Sequence, residues 1–315
     1  MNRAILVILI FLIYPLNIFS QCCASSGNPI GGTVNIGQMD HHVLRIASFF
    51  RNSTGDRYMS GDDLYTGEIG ILKKAMFNYL GFLGSYGLNN NITIEMETGY
   101  FINKTQVFKL NDEKLTGYGI SDIVISFKPR IYYSSEKNLE ISCALGPNIP
   151  LKRKLQVING VTMPVDIQSS TGSYGLVFQL NAIKENSFRG ISFLLVNRIE
   201  KYFENKQEYN FGNSYTNSFY FSKHLFFETQ QLNGCTIILQ MKNQIRSKNL
   251  REGVRIDATG NCSFFFTPQV NLGIQGSWNI AALCDIPVYQ HINGIQLANK
   301  LSFALSINKD ISIIK

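Results

Sequence analysis

The stretch NITIEMETGY, residues 91–100, alternates between apolar and polar residues without interruption. One face carries Ile92, Ile94, Met96 and Thr98, and the other carries Thr93, Glu95 and Glu97. A period of two predicts a β-strand with two unlike faces. In a soluble sheet the apolar row would face a core, whereas in a membrane barrel it would face lipid and the glutamates would face the interior. The rest of the chain distinguishes these two possibilities.

The composition of the 315-residue chain favours strands and a surface with few charges. Apolar residues make up 45% and charged residues 16%, against the roughly 25% charge that is usual in soluble domains. Fifteen Tyr and twenty-two Phe against one Trp suit β-strands. The net charge is +7, but Lys and Arg are scattered and not clustered on one face, so we predict no nucleic-acid partner.

The first twenty residues have the pattern of a secretory signal peptide. Arg3 precedes an apolar run over residues 4–14, and Ser20 precedes Gln21, where we predict cleavage. A retained anchor and a lipoprotein signal at Cys22 remain the alternatives. We expect a periplasmic segment over 21–42 and a barrel over 43–315. No other run of about 18 apolar residues occurs, so the mature chain has no predicted transmembrane helix.

Twelve strands are predicted in the mature chain, and most have ten or more residues. Strands of globular proteins average about five or six residues, whereas a tilted strand that spans a bilayer needs about 9–11. The predicted strands cover 43–51, 75–87, 91–102, 120–133, 138–149, 172–183, 188–203, 215–229, 235–247, 259–267, 270–284 and 298–309.

Short and long connections alternate along the whole chain. The short ones are 88–91, 134–138, 185–187, 231–234 and 268–271, and the long ones are 52–74, 103–119, 150–171, 204–214, 248–258 and 285–297. This asymmetry is typical of outer-membrane barrels, which have tight periplasmic turns and longer extracellular loops. We therefore predict an all-β fold, a transmembrane antiparallel up-and-down β-barrel of about twelve strands, in the outer membrane of a Gram-negative bacterium.

In such a barrel the polar face of each strand lines the interior. The residues that we predict to line the pore are Glu95, Glu97, Lys128, Arg130, Glu140, Gln179, Gln240 and Lys242. Symmetrical hairpins would place Glu97 across from Lys128, Glu95 across from Arg130, and Arg130 across from Glu140. The seventh strand, 188–203, is apolar on both faces in part and has no assigned orientation.

The residues that could carry catalysis or bind a metal do not form a recognisable set. His41 and His42 are adjacent and would point to opposite faces of an extended chain. The six cysteines have no regular spacing, although Cys22 and Cys23 could react as a pair. The chain contains no G-x-S-x-G element. We predict no enzymatic activity, no metal and no cofactor.

Four stretches together resemble the outer-membrane proteins of the meta-pathway of phenol degradation, in their Bacteroidetes form. They are QCCASSGNPIGGTVNIGQ (21–38), YGLNNNITIEMETGYF (86–101), YGISDIVISFKPRIYY (118–133), and LGPNIPLKRK with DIQSSTGSYGLVF (145–154 and 166–178). The resemblance implies a barrel that passes small, often hydrophobic or aromatic molecules, and it brings no established binding residues. The ending ISIIK lacks the terminal aromatic residue that such barrels often have.

These observations predict an outer-membrane channel or transporter for small molecules, with a narrow or plugged interior. A structural or adhesin-type barrel whose extracellular loops bind a partner is the alternative, and an outer-membrane enzyme is a third class. The expected partners are outer-membrane lipids, lipopolysaccharide, the barrel assembly machinery and periplasmic chaperones. The sequence does not identify the transported substrate.

Overall fold

The structure, a computed structural model, describes residues 37–67, 70–226, 229 and 232–313. The predicted signal peptide, Cys22 and Cys23 lie outside the described residues. Twelve long strands make up the barrel. They are β1 (Val43–Gly55), β2 (Leu72–Asn89), β3 (Ile92–Phe108), β4 (Ile123–Ser134), β5 (Leu139–Ile149), β6 (Gly175–Asn186), β7 (Ile191–Tyr202), β8 (Ser214–Leu225), β9 (Leu232–Arg246), β10 (Asn261–Ile274), β11 (Trp278–Ala298) and β12 (Leu301–Ser312).

Each strand pairs antiparallel with the next in the chain, and the last pairs with the first. The closing ladder between β1 and β12 runs from Val43↔Ser312 to Thr54↔Leu301. Closure leaves the strands of the barrel with no free edge, as a membrane-spanning sheet requires. The predicted fold class and the count of twelve strands are confirmed. Within the described residues, no helix combines the length and the apolar character needed to cross a membrane.

The outer surface of the barrel is an apolar band with aromatic residues toward both ends. In β3 and β4 the outward side chains are Ile94, Met96, Ile125 and Phe127, each 39–49% exposed. Exposed aromatic side chains near the strand ends include Tyr132, Tyr133, Trp278, Tyr174 and Tyr215. An apolar belt between two aromatic girdles is the exterior of a barrel in the outer membrane. The apolar face of the stretch 91–100 therefore faces lipid.

The short turns follow the prediction at three of five places, near 88–91, 134–138 and 185–187. The fourth turn ends before Leu232, where β9 begins, so the predicted 231–234 is too late. The fifth, predicted at 268–271, is wrong because β10 continues to Ile274 and the turn is formed by 275–277. Its Gly276 and Ser277 adopt positive φ angles of 78° and 64°.

Pro268 misled this prediction because proline is a common turn residue. The β10–β11 ladder pairs Phe266 with Ile286 and Gln269 with Leu283, and it is interrupted between these two pairs. A residue without an N–H group is tolerated where the ladder is interrupted. Pro268 therefore lies inside a strand.

Five of the six predicted long connections are present, and several contain short strands. These are Arg57–Gly61, Asp63–Leu64, Lys114–Ile120, Val157–Ile158, Val161–Thr162, Tyr209–Asn210, Leu250–Arg251 and Val254–Arg255, with a 3-10 turn at Val165–Ile167. The sixth predicted loop, 285–297, is wrong. That segment belongs to β11, which pairs with β10 as far as Ile292 and then with Arg57–Gly61. These neighbours satisfy backbone groups that a free loop would leave to water.

Candidate functional site: the barrel lumen

All eight side chains predicted to line the pore lie on the inward faces of their strands. Lys128 is fully buried, and Glu95, Gln179 and Gln240 are at most 7% exposed. The other four are partly buried, namely Glu97, Arg130, Glu140 and Lys242. The structure thus puts charged groups where a soluble protein would have its apolar core. Their role as the lining of a conduit stays a prediction.

The predicted register of β3 and β4 is wrong by four residues. Glu95 pairs with Ser126, Glu97 with Val124, and Thr93 with Lys128. Lys128 therefore lies diagonal to Glu95 and not opposite Glu97. The cause is the rim strand Lys114–Ile120, which extends the hairpin by pairing Val107 with Lys114. This pairing places the centre of the hairpin earlier in the chain than the symmetrical hairpin of the prediction does.

Two ion pairs lie in the periplasmic half of the lumen wall. Lys128 Nζ lies 2.9 Å from Glu95 Oε1, and Arg130 Nη2 lies 3.0 Å from Glu140 Oε2. The predicted pairing of Glu95 with Arg130 is therefore wrong. The predicted contact between Arg130 and Glu140 is present, although Arg130 pairs with Ser142 in the β4–β5 ladder, so this contact is also diagonal.

The chain that precedes β1 enters this half of the lumen. Lys128 Nζ donates to Gly37 O at 3.0 Å, the Gln38 N–H donates to Glu140 Oε1 at 3.2 Å, and the Met39 N–H donates to Thr93 Oγ1 at 3.1 Å. Met39 is buried. We call residues 37–40 the N-terminal plug. Sequence reasoning missed it because the plug is held through its backbone, which no side-chain pattern records.

The close approach of the plug to the wall explains Gly87 of β2. A Cβ atom at this position would lie 2.0 Å from the carbonyl oxygen of Asp40. Only glycine leaves space for backbone at this distance. The plug backbone therefore packs directly against the barrel wall at Gly87.

A salt bridge crosses the middle of the lumen. Arg198 of β7 donates from Nη1 and Nη2 to the two carboxylate oxygens of Glu97, each at 3.0 Å, and from Nε to Glu200 at 2.7 Å. In a circular barrel of twelve strands, β3 and β7 would be about 20 Å apart, too far for one Arg and one Glu. The barrel is therefore flattened along this direction. Arg198 was missed because β7 is apolar on both faces in part.

A second buried charge cluster joins β1, β9 and β11. Asp285 forms ion pairs with Arg51 and with Lys242, the latter at 2.8 Å, and Thr267 donates its hydroxyl to the same carboxylate. The predicted residue Lys242 thus has a partner that the sequence did not indicate. Within the described part of the chain, each of the predicted lumen charges has an opposite charge within 3.0 Å.

The two predicted glutamines belong to hydrogen-bond networks of neutral groups and one arginine. Gln179 accepts from Arg198 Nη1 at 3.3 Å and donates to Asn181 at 2.9 Å. Gln240 donates from Nε2 to the hydroxyl oxygens of Ser218 and Tyr220, each at 3.0 Å. Buried polar groups that are hydrogen-bonded in this way make the lumen wall rigid. The wall that they form is still polar, so polar solutes can contact it.

The extracellular half of the lumen is filled by the connection between β5 and β6, residues 150–174, which we call the mouth loop. Asp122, just before β4, accepts hydrogen bonds from the hydroxyl groups of Ser170 and Thr171, each at 2.5 Å, and from Asn148 at 3.2 Å. The buried stretch 167–173 lies against the inner wall. One carboxylate therefore holds most of the inner end of this loop.

The 3-10 turn of the mouth loop lies beneath the rim of β1, β2 and β3. Ile167 is 1% exposed, and Lys104 Nζ donates to Gln168 O at 2.9 Å. The neighbouring wall is an aromatic cluster of Phe49, Phe77, Tyr79 and Phe101. Burial raises the pKa of Asp166 to about 7, against the opposing effects of Lys104 and Arg251.

In chemical terms the lumen can order water, ions and polar solutes, but it offers no assembled metal centre. No group of three His, Cys, Asp or Glu side chains in the described ranges is placed to hold a metal ion. The sequence matches no protein-family profile and no curated protein.

Solved structures resemble this chain in fold. An outer-membrane channel from Pseudomonas putida F1 has a TM-score of 0.66 at 11% identity, covering 90% of this chain and 100% of that one. The beta domain of the Bordetella autotransporter BrkA gives 0.49 at 8% identity, covering 86% and 100%. A Pseudomonas aeruginosa FadL homologue gives 0.38 at 9% identity, covering 92% and 98%. The first similarity extends over the whole barrel and shows that the fold is that of an outer-membrane barrel.

Proposed function

We propose that this protein is an outer-membrane channel for small solutes, and that the structure is its closed state. The observation that carries the proposal is the nature of the lumen. Its wall carries buried ion pairs and hydrogen-bonded polar groups on β3, β4, β7, β9 and β11, and its two ends are filled by segments that are not barrel strands. A wall of this kind remains compatible with water when the filling segments move.

The two closures differ from the wall in how they are attached. The N-terminal plug and the mouth loop contact the wall through individual hydrogen bonds, whereas each strand of the wall is joined to both neighbours by a ladder of many backbone pairs. Movement of loops is far less costly than separation of strands. An open state therefore needs only a displaced loop and plug.

The structurally similar Pseudomonas putida protein is an outer-membrane channel, which supports the same function for this chain. The resemblance of residues 86–101 and 118–133 to the meta-pathway family supports small, hydrophobic or aromatic molecules as the solutes. Both supports are arguments from analogy.

The test is conductance of the purified full-length protein in planar bilayers, with folding checked by heat-modifiable gel mobility. The variant Ser170→Ala with Thr171→Val removes both hydroxyl donors to Asp122 and should increase the open time relative to the native chain. Thr236→Val is the matched control, since it removes a hydroxyl group bonded to His224 at the opposite, periplasmic end of β8 and β9.

Folded protein that shows no conductance in the native chain, in the loop variant, or in the loop variant combined with Gly87→Ala, whose Cβ atom would displace the plug, would overturn the channel proposal. It would instead favour the structural barrel, whose buried ion pairs would then serve only to fill the lumen. The cross-lumen contact between Arg198 and Glu97 is the observation that favours this second candidate.

A further inference from the structure

Two cations lie over exposed aromatic rings on the outer side of the barrel, at the extracellular ends of β6 and β7. The guanidinium group of Arg153 lies 5.1 Å from the centre of the Tyr174 ring, and Lys201 Nζ lies 5.8 Å from the centre of the Phe203 ring. Tyr174 and Phe203 are 48% and 43% exposed. The Phe203 N–H donates to Tyr174 O at 2.8 Å, so the two aromatic residues are neighbours across the sheet. We call these four residues the rim patch.

The cations of the rim patch have no counter-charge in the part of the chain that the structure describes. Arg153 and Lys201 are exposed, and their side chains contact aromatic rings and no carboxylate. The surrounding segments, 151–154 and 201–206, contain five Lys or Arg residues and a single carboxylate, that of Glu204. The rim patch therefore presents positive charge to its surroundings.

Other cations of the extracellular rim already have partners. Lys73, Lys248 and Lys300 each form an ion pair with a carboxylate at 2.6–2.7 Å. A cation with a carboxylate partner gains little from a further anion, whereas a cation held over a ring is oriented and still able to bind one. An anionic ligand is therefore expected to prefer the rim patch to these three lysines.

The surface below the rim patch is apolar. In the β6–β7 ladder Leu176 pairs with Lys201, and Phe178 pairs with Ile199. We call Leu176, Phe178 and Ile199 the apolar strip, and they are 38–46% exposed. The apolar band of an outer-membrane barrel faces acyl chains, and its aromatic girdle lies at the level of the headgroups. Arg153 and Lys201 therefore lie at the headgroup level of the outer leaflet.

We propose that the rim patch is a binding site for lipopolysaccharide. Arg153 and Lys201 contact the phosphate groups of its glucosamine headgroup, and the apolar strip contacts its acyl chains. Basic side chains beside a membrane-spanning surface bind anionic headgroups in this way. The lipid has phosphates directly above acyl chains, in the same order as the cations and the apolar strip along β6 and β7. The proposal does not depend on the channel function.

Other anions would satisfy this surface only in part. A phospholipid carries one phosphate group and would leave one of the two cations without an anion, whereas lipid A, the membrane anchor of lipopolysaccharide, carries two. Inorganic phosphate would bind the cations but has no apolar part for the apolar strip. The combination of two cations above an apolar surface therefore favours lipopolysaccharide.

The test measures binding of lipid A to the purified full-length protein in detergent by native mass spectrometry. Lipid A with both phosphates should bind at least about tenfold more tightly than dephosphorylated lipid A, since charge-assisted contacts exceed neutral ones by about this factor. Arg153→Gln with Lys201→Gln should abolish this preference, and Arg153→Lys with Lys201→Arg should retain most of it. Lys248→Gln with Lys300→Gln is the matched control, because it removes two rim cations that are already paired.

Equal affinity for the two forms of lipid A, or a loss of affinity in the control variant equal to that in Arg153→Gln with Lys201→Gln, would overturn the proposal. Phosphatidylglycerol that binds as tightly as lipid A would show a general site for anionic lipids and would overturn lipopolysaccharide as its occupant. Inorganic phosphate that displaces lipid A at equal concentration would also overturn it, because the apolar strip would then contribute nothing. Heat-modifiable gel mobility checks that each variant is folded.

Discussion

The two ends of the lumen are closed by different chemistry. At the periplasmic end, the N-terminal plug contacts charged side chains that are already paired with each other, Lys128 with Glu95 and Arg130 with Glu140. At the extracellular end, Asp122 accepts hydrogen bonds from two hydroxyl groups and one backbone N–H group of the mouth loop, and Lys104 donates to the carbonyl oxygen of Gln168. The first closure is bonded to the buried ion pairs of the barrel wall, whereas the second is bonded mainly to a single carboxylate and one ammonium group of the wall.

For the proposed channel, this difference predicts that the extracellular end opens. Disturbing the periplasmic ion pairs leaves buried charges without partners and affects the strands themselves. Disturbing the contacts of Asp122 loosens a loop segment that belongs to no strand ladder of the wall, so its polar groups can turn to water while the strands stay paired. We expect stability to depend mainly on the periplasmic end and gating mainly on the extracellular end.

The largest effect is expected for Lys128→Met. The substitution leaves Glu95 buried without its counter-charge and should lower the free energy of unfolding by about 3–5 kcal/mol, measured by urea denaturation in lipid vesicles. Adding Glu95→Gln should recover most of the loss because the unpaired charge is then removed. Lys137→Met, in the exposed turn after β4, is the control. Full stability of Lys128→Met would show that the two ends do not differ in this way.

The next effect concerns Asp122→Ala, which removes the acceptor of Ser170, Thr171 and Asn148. Loss of charge-assisted hydrogen bonds worth about 1.5–3 kcal/mol each should release the loop and raise the conductance about tenfold or more. The unfolding free energy should change less than in Lys128→Met. Asp112→Asn in the exposed turn after β3 is the matched control. Unchanged conductance with a destabilised barrel would mean that Asp122 supports the wall and not the gate.

A smaller effect is expected from pH. Burial raises the pKa of Asp166 to about 7 in the docked loop, from an ordinary value of 3.8 in a released one. Docking is therefore most favourable below the ordinary value, weakens as pH rises from about 4 to 7, and is constant above. Conductance should rise over this interval, although Lys104 and Arg251 next to Asp166 oppose the shift.

Asp166→Asn should remove this pH dependence and keep the channel closed at pH 7.5. Asp257→Asn, in another extracellular loop and paired with Lys248, is the control. Measurements in planar bilayers at pH 4.5, 6 and 7.5 check both variants. A conductance that falls with rising pH in the native chain would contradict the predicted sign.

The smallest effect is expected at the ion pair of Arg45 with Asp310, also at the periplasmic end. Its two side chains are 23% and 30% exposed, so water screens the attraction. Arg45→Gln should cost about 0.2–1 kcal/mol of unfolding free energy, and less at high salt. A cost as large as that of Lys128→Met would show that burial does not explain the difference between the two pairs.

The sequence by itself determined the fold class, the number of strands and the face on which Glu95, Lys128 and Gln240 lie. All three follow from local patterns, because the alternation of side chains in a strand has a period of two whatever the strand pairs with. The misplaced turn at Pro268 and the supposed loop at 285–297 show the limit of such patterns. Proline and glycine indicate turns, but ladder partners distant in the chain can hold them inside a strand.

Only the tertiary structure decided which charges meet. The register of β3 and β4 depends on the rim strand Lys114–Ile120, and the contact of Glu97 with Arg198 depends on the flattening of the whole barrel. The plug and the mouth loop reach the lumen through backbone atoms and Asp122, which leave no periodic signal. The contacts of Glu97 with Arg198, Lys128 with Gly37 and Asp122 with Ser170 join residues 101, 91 and 48 positions apart. Their geometry is set by closure of the sheet and not by any single strand.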